Sequence, residues 1–301
     1  MKGRDIVMNI SQYEAFLKTI ELGSLTKAAE TLGYTQSGLS HMMNALESDC
    51  DLKLMMRDRS GVRITADGQQ LLPYFQTICN GQHNLSEKIN EIHRLEFGLV
   101  RVGTFTSVSA QWLPGIIKRF HADFPKIQFE LLHGSNNEDL EDWVINGRVD
   151  CAFVKIPTRQ PLEAIFLRRD PFVAILPSNH DLADHLFLPV SALTEYPYIK
   201  LDESADDGIS DIFESHQIRP NVRFVEKEDY AIMAMVDNGL GISVLPELVL
   251  KDTARKIVIK KLDIPAYRDI GIVVKNKKML TASAQKFVSY VQEWITEEYN
   301  S

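Results

Sequence analysis

The chain has 301 residues, of which 45% are hydrophobic and 25% charged, enough for two or three domains with cores that need no disulfide or metal staples. Its 33 basic and 41 acidic side chains give a formal charge of −8, which taken whole argues against the basic footprint usual in a nucleic-acid binder. Three widely spaced cysteines, Cys50, Cys79 and Cys151, exclude a disulfide framework or a zinc motif and suit a reducing compartment. The opening MKGRDIVMNI lacks the apolar core of a secretory signal, and no run approaches the ~20 apolar residues of a membrane span. A cytoplasmic protein without a membrane partner is expected.

Residues 9–64 read as short helices followed by a basic hairpin. Tyr13, Phe16, Leu17, Ile20 and Leu22 form a helical stripe that Gly23 ends, and Ser24 caps a second, short helix that Gly33 stops. Thr35 caps a third helix with Leu39, Met42, Met43 and Leu46 on its inner face. Two compact helices joined by a tight glycine-containing turn make a helix-turn-helix. Two apolar runs then flank Asp58-Arg59-Ser60-Gly61, which predicts a two-stranded wing. Lys53, Arg57, Arg59 and Arg63 against Asp58 make that wing positive.

Thr65 caps a long helix expected to run to about Phe97. Leu71, Ile78, Leu85 and Ile92 fall seven residues apart, with Phe75 and Ile89 in alternate seam positions. The pattern predicts pairing of two chains, with Pro73 and Gly81 as local weak points. From Gly98 onward strands and amphipathic helices alternate, which implies α/β architecture with right-handed crossovers. A final helix after the apolar run 269–276 would return to the first sheet, making two α/β lobes joined by two crossing strands.

The residues ELGSLTKAAETLGYTQSGLS, the acidic turn after Leu46-Glu47, and LKLMMRDRSGVRITADG resemble the N-terminal domain of LysR-type transcriptional regulators. In the second half, FHADFPKIQFELLHG, INGRVDCAF and MVDNGLGISVLP are similar to that family's effector-domain patterns. The resemblance spans nearly the whole chain. It implies an N-terminal winged helix-turn-helix, mostly α, then a long linker helix and a bilobal α/β effector domain of periplasmic-binding-protein type. The expected boundaries are 1–64, 65–97 and 98–301, with lobe I at about 98–171 and 277–301 and lobe II at about 172–276. The resemblance also implies homotetramers built from dimers. His41 stands where the family often has a basic residue, Cys50-Asp51 where it often has Leu-Gly, and Met55 where it often has Phe. The first departure predicts fewer phosphate contacts from the third helix.

The second helix of a helix-turn-helix enters the major groove of double-stranded DNA with its N-terminal residues at base edges. Those residues are Thr35, Gln36, Ser37, Ser40 and His41. Gln can pair bidentately with adenine, and Ser donates or accepts. Arg57, Arg59 and Arg63 on the wing would meet phosphates, which adds affinity and salt dependence rather than sequence information.

In open α/β sheets ligands sit beyond the carboxyl ends of strands. Thr104, Phe105, Thr106 and Ser107 follow the first expected strand, and Ser135 and Asn136 follow the second. Lys155 lies just past the third, while Asp202, Glu203 and Pro246 belong to the second lobe's rim. These are the expected contacts to a small-molecule effector.

No Gly-x-Ser-x-Gly or His-Glu-x-x-His motif is present, so neither an enzyme nor a metal or cofactor site is expected. His180, Asp181, Asp184 and His185 read as a surface loop. The rival expectation is a solute-binding protein without a DNA role, against which the helix-turn-helix argues. The charge itself is uneven. Residues 1–97 carry 10 basic and 12 acidic side chains, so most of the acidity lies in the effector half.

Overall fold

A computed structural model describes residues 9–58, 61–92, 98–202 and 208–300. Arg59, Glu203 and the last residues expected of the linker helix, 93–97, lie outside the described residues. Those described form two compact units, one up to Ile92 together with Asn146–Arg148, and one from Gly98 to Ile145 and from Val149 on. No helix among them is long and apolar enough to cross a membrane.

The first unit begins with α1 (Ile10–Leu22), α2 (Leu25–Leu32) and α3 (Gln36–Cys50). Each starts at a side-chain cap. Asn9 accepts from the Ser11 N–H, Ser24 from the Lys27 N–H and Thr35 from the Gly38 N–H, satisfying donors a helix start leaves open. Gly23 and Gly33 end the first two helices in the left-handed region, at φ 59° and 72°, where a side chain would be strained. Strands β1 (Met55–Asp58) and β2 (Gly61–Ile64) form the antiparallel wing. The wing docks through the Val62 N–H, which donates to the Gly23 carbonyl at 2.9 Å.

Thr65 accepts from the Gly68 N–H at 3.0 Å and starts α4 (Ala66–Ile92), one continuous helix through Pro73 and Gly81. The helix does not use its apolar stripe uniformly. Phe75 is buried, stacked on Tyr13 at 4.7 Å between ring centroids and edge-on to Phe16 at 5.5 Å. It therefore fills its own unit's core rather than a seam between chains. Ile78, Leu85 and Ile89 stay exposed.

The second unit continues with β3 (Gly98–Thr104), α5 (Thr106–Gln111), α6 (Leu113–Asp123), β4 (Ile127–His133), α7 (Asn137–Ile145), β5 (Cys151–Ile156) and β6 (Glu163–Pro177). Next come β7 (Phe187–Leu188), α8 (Ala192–Glu195), β8 (Tyr198–Leu201), α9 (Ile209–Ser215), β9 (Val222–Glu226) and α10 (Asp229–Asp237). The chain closes with β10 (Ser243–Pro246), β11 (Ile257–Leu262), β12 (Tyr267–Val274) and α11 (Ala282–Asn300). Lobe I is the sheet β4-β3-β5-β12-β6. On one side α6 and α11 cover it around Trp112, Phe120 and Phe287; α7 contributes Leu140 and Val144 to a separate core. In lobe II the second half of β6 pairs with β10 and β11, and β8 pairs in parallel with β9.

Of the two crossing strands expected, β6 is the first. Glu163–Pro171 pairs with β12 in lobe I, and Phe172–Pro177 pairs in lobe II. The strand is thus nine residues longer at its start than the apolar run 172–177 suggests. The second crossing corrects the expected lobe boundary. Tyr267–Val274 pairs with β5 and with the first half of β6, so the chain returns to lobe I at Tyr267 rather than at 277. An uninterrupted apolar strand reveals that it is buried but not which sheet buries it. The two crossings touch where the Phe172 N–H donates to the Ala266 carbonyl at 2.9 Å.

Candidate functional site

In the first unit Thr35, Gln36, Ser37 and His41 are exposed at the start of α3, and Ser40 is half-buried. The Thr35 hydroxyl is engaged as the cap and lies 3.3 Å from Ser37 Oγ. A Cβ at Gly38 would stand 3.0 Å from Thr35 Oγ1, so glycine there makes room for the cap. Arg57 does not reach outward as a free cation. Its Nη1 donates to Ser40 Oγ at 2.8 Å and its Nη2 to Asn44 Oδ1 at 3.2 Å. The wing arginine and the helix serine, expected as separate contacts, form one polar group. Asn44 was missed from sequence, although Gln36, Ser40 and Asn44 stand at intervals of four and so share a helix face. Arg63 is exposed on β2.

The wing is held to α3 by Glu47, which is 6% exposed. Its carboxylate accepts from the N–H groups of Leu54 and Met55 at 2.9 and 3.1 Å, and from Lys53 Nζ at 2.7 Å. Burial alone would push this carboxyl up, but the Lys53 and backbone donors outweigh it and hold it below the usual range.

In the second unit a cavity of about 230 Å³ opens between the lobes at the strand crossings. Phe105, Thr106, Ser107, Ser135, Asn136, Lys155, Asp202 and Pro246, all expected from sequence, line it. Two expectations need correcting. Thr104 is buried at 2% exposure and does not line the cavity; its Oγ1 accepts from Ser109 Oγ at 3.2 Å. Lys155 lies within β5, not past it.

Sequence reasoning missed His133, Lys227, Glu228, Asp229 and Arg268, which also line the cavity. His133 Nε2 is 3.2 Å from Thr106 Oγ1. Arg268 is 7% exposed and lies on β12 at the second crossing. Its Nε donates to Asp170 Oδ2 at 2.9 Å and its Nη2 to Ser107 Oγ at 2.7 Å, and its guanidinium lies 5.1 Å from the Phe105 ring centroid. Asp170 also accepts from the Leu248 N–H at 3.0 Å. No sequence signal could pair Arg268 with Asp170, because only the register of β6 against β12 brings them together.

His180 Nδ1 accepts from the Leu182 N–H at 3.1 Å and its ring packs on Tyr196 at 4.5 Å; burial lowers its pKa. No group of His, Cys, Asp and Glu that could hold a metal occurs among the described residues. Burial pushes the thiols of Cys50 and Cys151 up, away from the reactive thiolate.

Known proteins share this arrangement end to end. Residues 10–69 match the family described as bacterial regulatory helix-turn-helix protein, lysR family, and residues 93–296 match the LysR substrate binding domain. The uncharacterized HTH-type transcriptional regulator YvbU of Bacillus subtilis is 29% identical over 289 residues, covering 95% of this chain and 98% of its own. A point variant of full-length OxyR from Pseudomonas aeruginosa superposes with a TM-score of 0.74 at 19% identity, covering 96% of this chain and 95% of its own. Full-length CbnR complexed with its target DNA superposes with a TM-score of 0.69 at 18% identity, covering 95% and 100%. With both of the family's domains matched in order, the chain belongs to the LysR family of DNA-binding transcriptional regulators.

Proposed function

We propose that this regulator is a cytoplasmic, sequence-specific DNA-binding protein whose activity is set by a small molecule held between the two lobes of its second unit. Gln36, Ser37, Ser40, His41 and Asn44 would face base edges in the major groove. Arg57 and Arg63 would meet phosphates, with Arg57 also holding Ser40 and Asn44 in place. One such head reads few base pairs, so a dimer doubles the readout. The exposed Ile78, Leu85 and Ile89 of α4 suit a homodimer seam. The family resemblance further implies homotetramers. The observation that carries effector control is the cavity at the strand crossings, where Ser107, Phe105 and the buried Arg268 converge from different elements. A ligand there acts only through tighter binding to one lobe arrangement than to another.

Selection of bound fragments from sheared genomic DNA, followed by mobility shifts at several salt concentrations, tests the DNA reading. A selected fragment is expected to bind far more tightly than bulk DNA. Gln36→Ala should relax that preference. Arg57→Ala should weaken binding broadly and reduce the salt slope by about one. Absence of any preferred fragment contradicts the proposal. An unchanged salt slope with lost preference would make Arg57 a positioning residue only.

A further inference from the structure

The two walls of the cleft carry opposite charge. Among the described residues, the lobe I wall presents Lys155 and the hydroxyls of Thr106, Ser107 and Ser135 with no lining carboxylate, while Arg268 there is paired with the buried Asp170. Among the described residues, the lobe II wall presents Asp202, Glu228 and Asp229 against Lys227. Asp229 is 8% exposed, so its carboxyl meets the cleft from a partly dry position where electrostatic selection is strong. A simple anion would satisfy the first wall and be repelled by the second, and a simple cation the reverse. Only a ligand with both charges, separated by a few bonds, meets both walls at once.

The size of the cavity narrows the choice. At about 230 Å³ it lies below the roughly 300 Å³ lower end of pockets for drug-sized ligands. Phe105, Leu140, Pro246 and Val249 supply its apolar surface.

We propose that the cleft takes a small zwitterion, an α-amino acid or a compound of like charge pattern, with its carboxylate on the Lys155–Ser107 wall and its ammonium on the Asp202–Asp229 wall. This rests on the effector-cleft reading above and adds the ligand's chemistry. Such a ligand favours closure, because each of its charges is satisfied by a different lobe and both only when the lobes approach.

The test is thermal denaturation of the full chain with the twenty proteinogenic α-amino acids. Beside each, the hydroxy acid lacking the ammonium and the amide lacking the carboxylate are measured. At least one amino acid should stabilise the chain, and both analogues should lose about tenfold or more in affinity. Asp229→Asn and Asp202→Asn should erase the preference for amino acid over hydroxy acid, while Lys155→Gln should erase the preference for amino acid over amide. Circular dichroism checks that each variant is folded. A preference unchanged in folded Asp variants means that neither carboxylate reads the ammonium, and the proposal falls. If only hydroxy acids bind, and Lys155→Gln abolishes it, the zwitterion is wrong but the effector cleft stands. Shifts that persist undiminished, with every preference intact, in all three variants overturn both, because the ligand then sits elsewhere. No shift with any amino acid overturns the zwitterion alone, since the cleft reading names no ligand.

Discussion

Glu47 is buried at the end of α3, yet Lys53 and the N–H groups of Leu54 and Met55 all converge on its carboxylate. Those donors favour the charged form and hold its pKa below the ordinary range against the opposing effect of burial. A carboxyl whose folded pKa is lowered stabilises the fold above its unfolded pKa and loses that contribution as pH falls through the folded value. Glu47→Gln should therefore destabilise the first unit by about 1–3 kcal/mol near neutral pH, with the gap closing in acid. The exposed Lys53 adds little to it. All three tryptophans, Trp112, Trp143 and Trp294, belong to the second unit, so tryptophan fluorescence follows that unit alone. The calorimetric transition that tryptophan does not report is the one that should move; a gap constant with pH contradicts this role. At this scale the sequence reveals residues whose neighbours are local. Thr35 and Ser24 are legible as caps because the N–H groups they serve lie three residues on. Arg268 and Asp170 are not legible, since 98 residues separate the partners.

Helix α4 shows how an element divides its labour. A seven-residue spacing treats Leu71, Phe75, Ile78 and Leu85 alike, but the structure does not. The first turns lean on α1 through Phe75, and the later ones leave Ile78, Leu85 and Ile89 in water. Periodicity finds an apolar stripe without saying what covers each part of it. The two segments should respond differently. Phe75→Ala should cost the first unit about 3–5 kcal/mol in the same calorimetric transition. Leu85→Glu should leave the circular dichroism of the folded chain unchanged while sedimentation equilibrium shows dissociation to smaller species. If Leu85→Glu leaves the assembled mass unchanged, the exposed half of α4 is not the seam. Strand β6 is the element least completely legible in sequence. Its first half, EAIFLRRD, interleaves charges with apolar residues, because much of it is only partly buried; the second half, wholly buried, reads as a plain apolar run.

For the molecule as a whole, the net charge of −8 argues against nucleic acid, and dividing it places −6 in the effector half while residues 1–97 stay slightly acidic, at 10 basic against 12 acidic side chains. Positive charge on the DNA-reading surface is confined to the wing, so non-specific affinity should be modest and oligomerisation should carry much of the specific binding. The order of the two units and most of the cleft are legible, since strand ends in α/β sheets mark ligand sites whatever the sequence. The opposed charge of the cleft walls is not, because Asp229, Lys227 and Arg268 come from elements whose placement only the two crossing strands decide.

Occupancy of the cleft is expected to alter the binding of DNA. Footprint titration of the selected DNA site, with and without a ligand shown to need Lys155, tests it most directly. The predicted result is a changed footprint or a severalfold change in affinity, with any affinity change matched by an equal factor when ligand affinity is measured with and without DNA. A ligand that fills the cleft and leaves both footprint and affinity untouched would contradict the account.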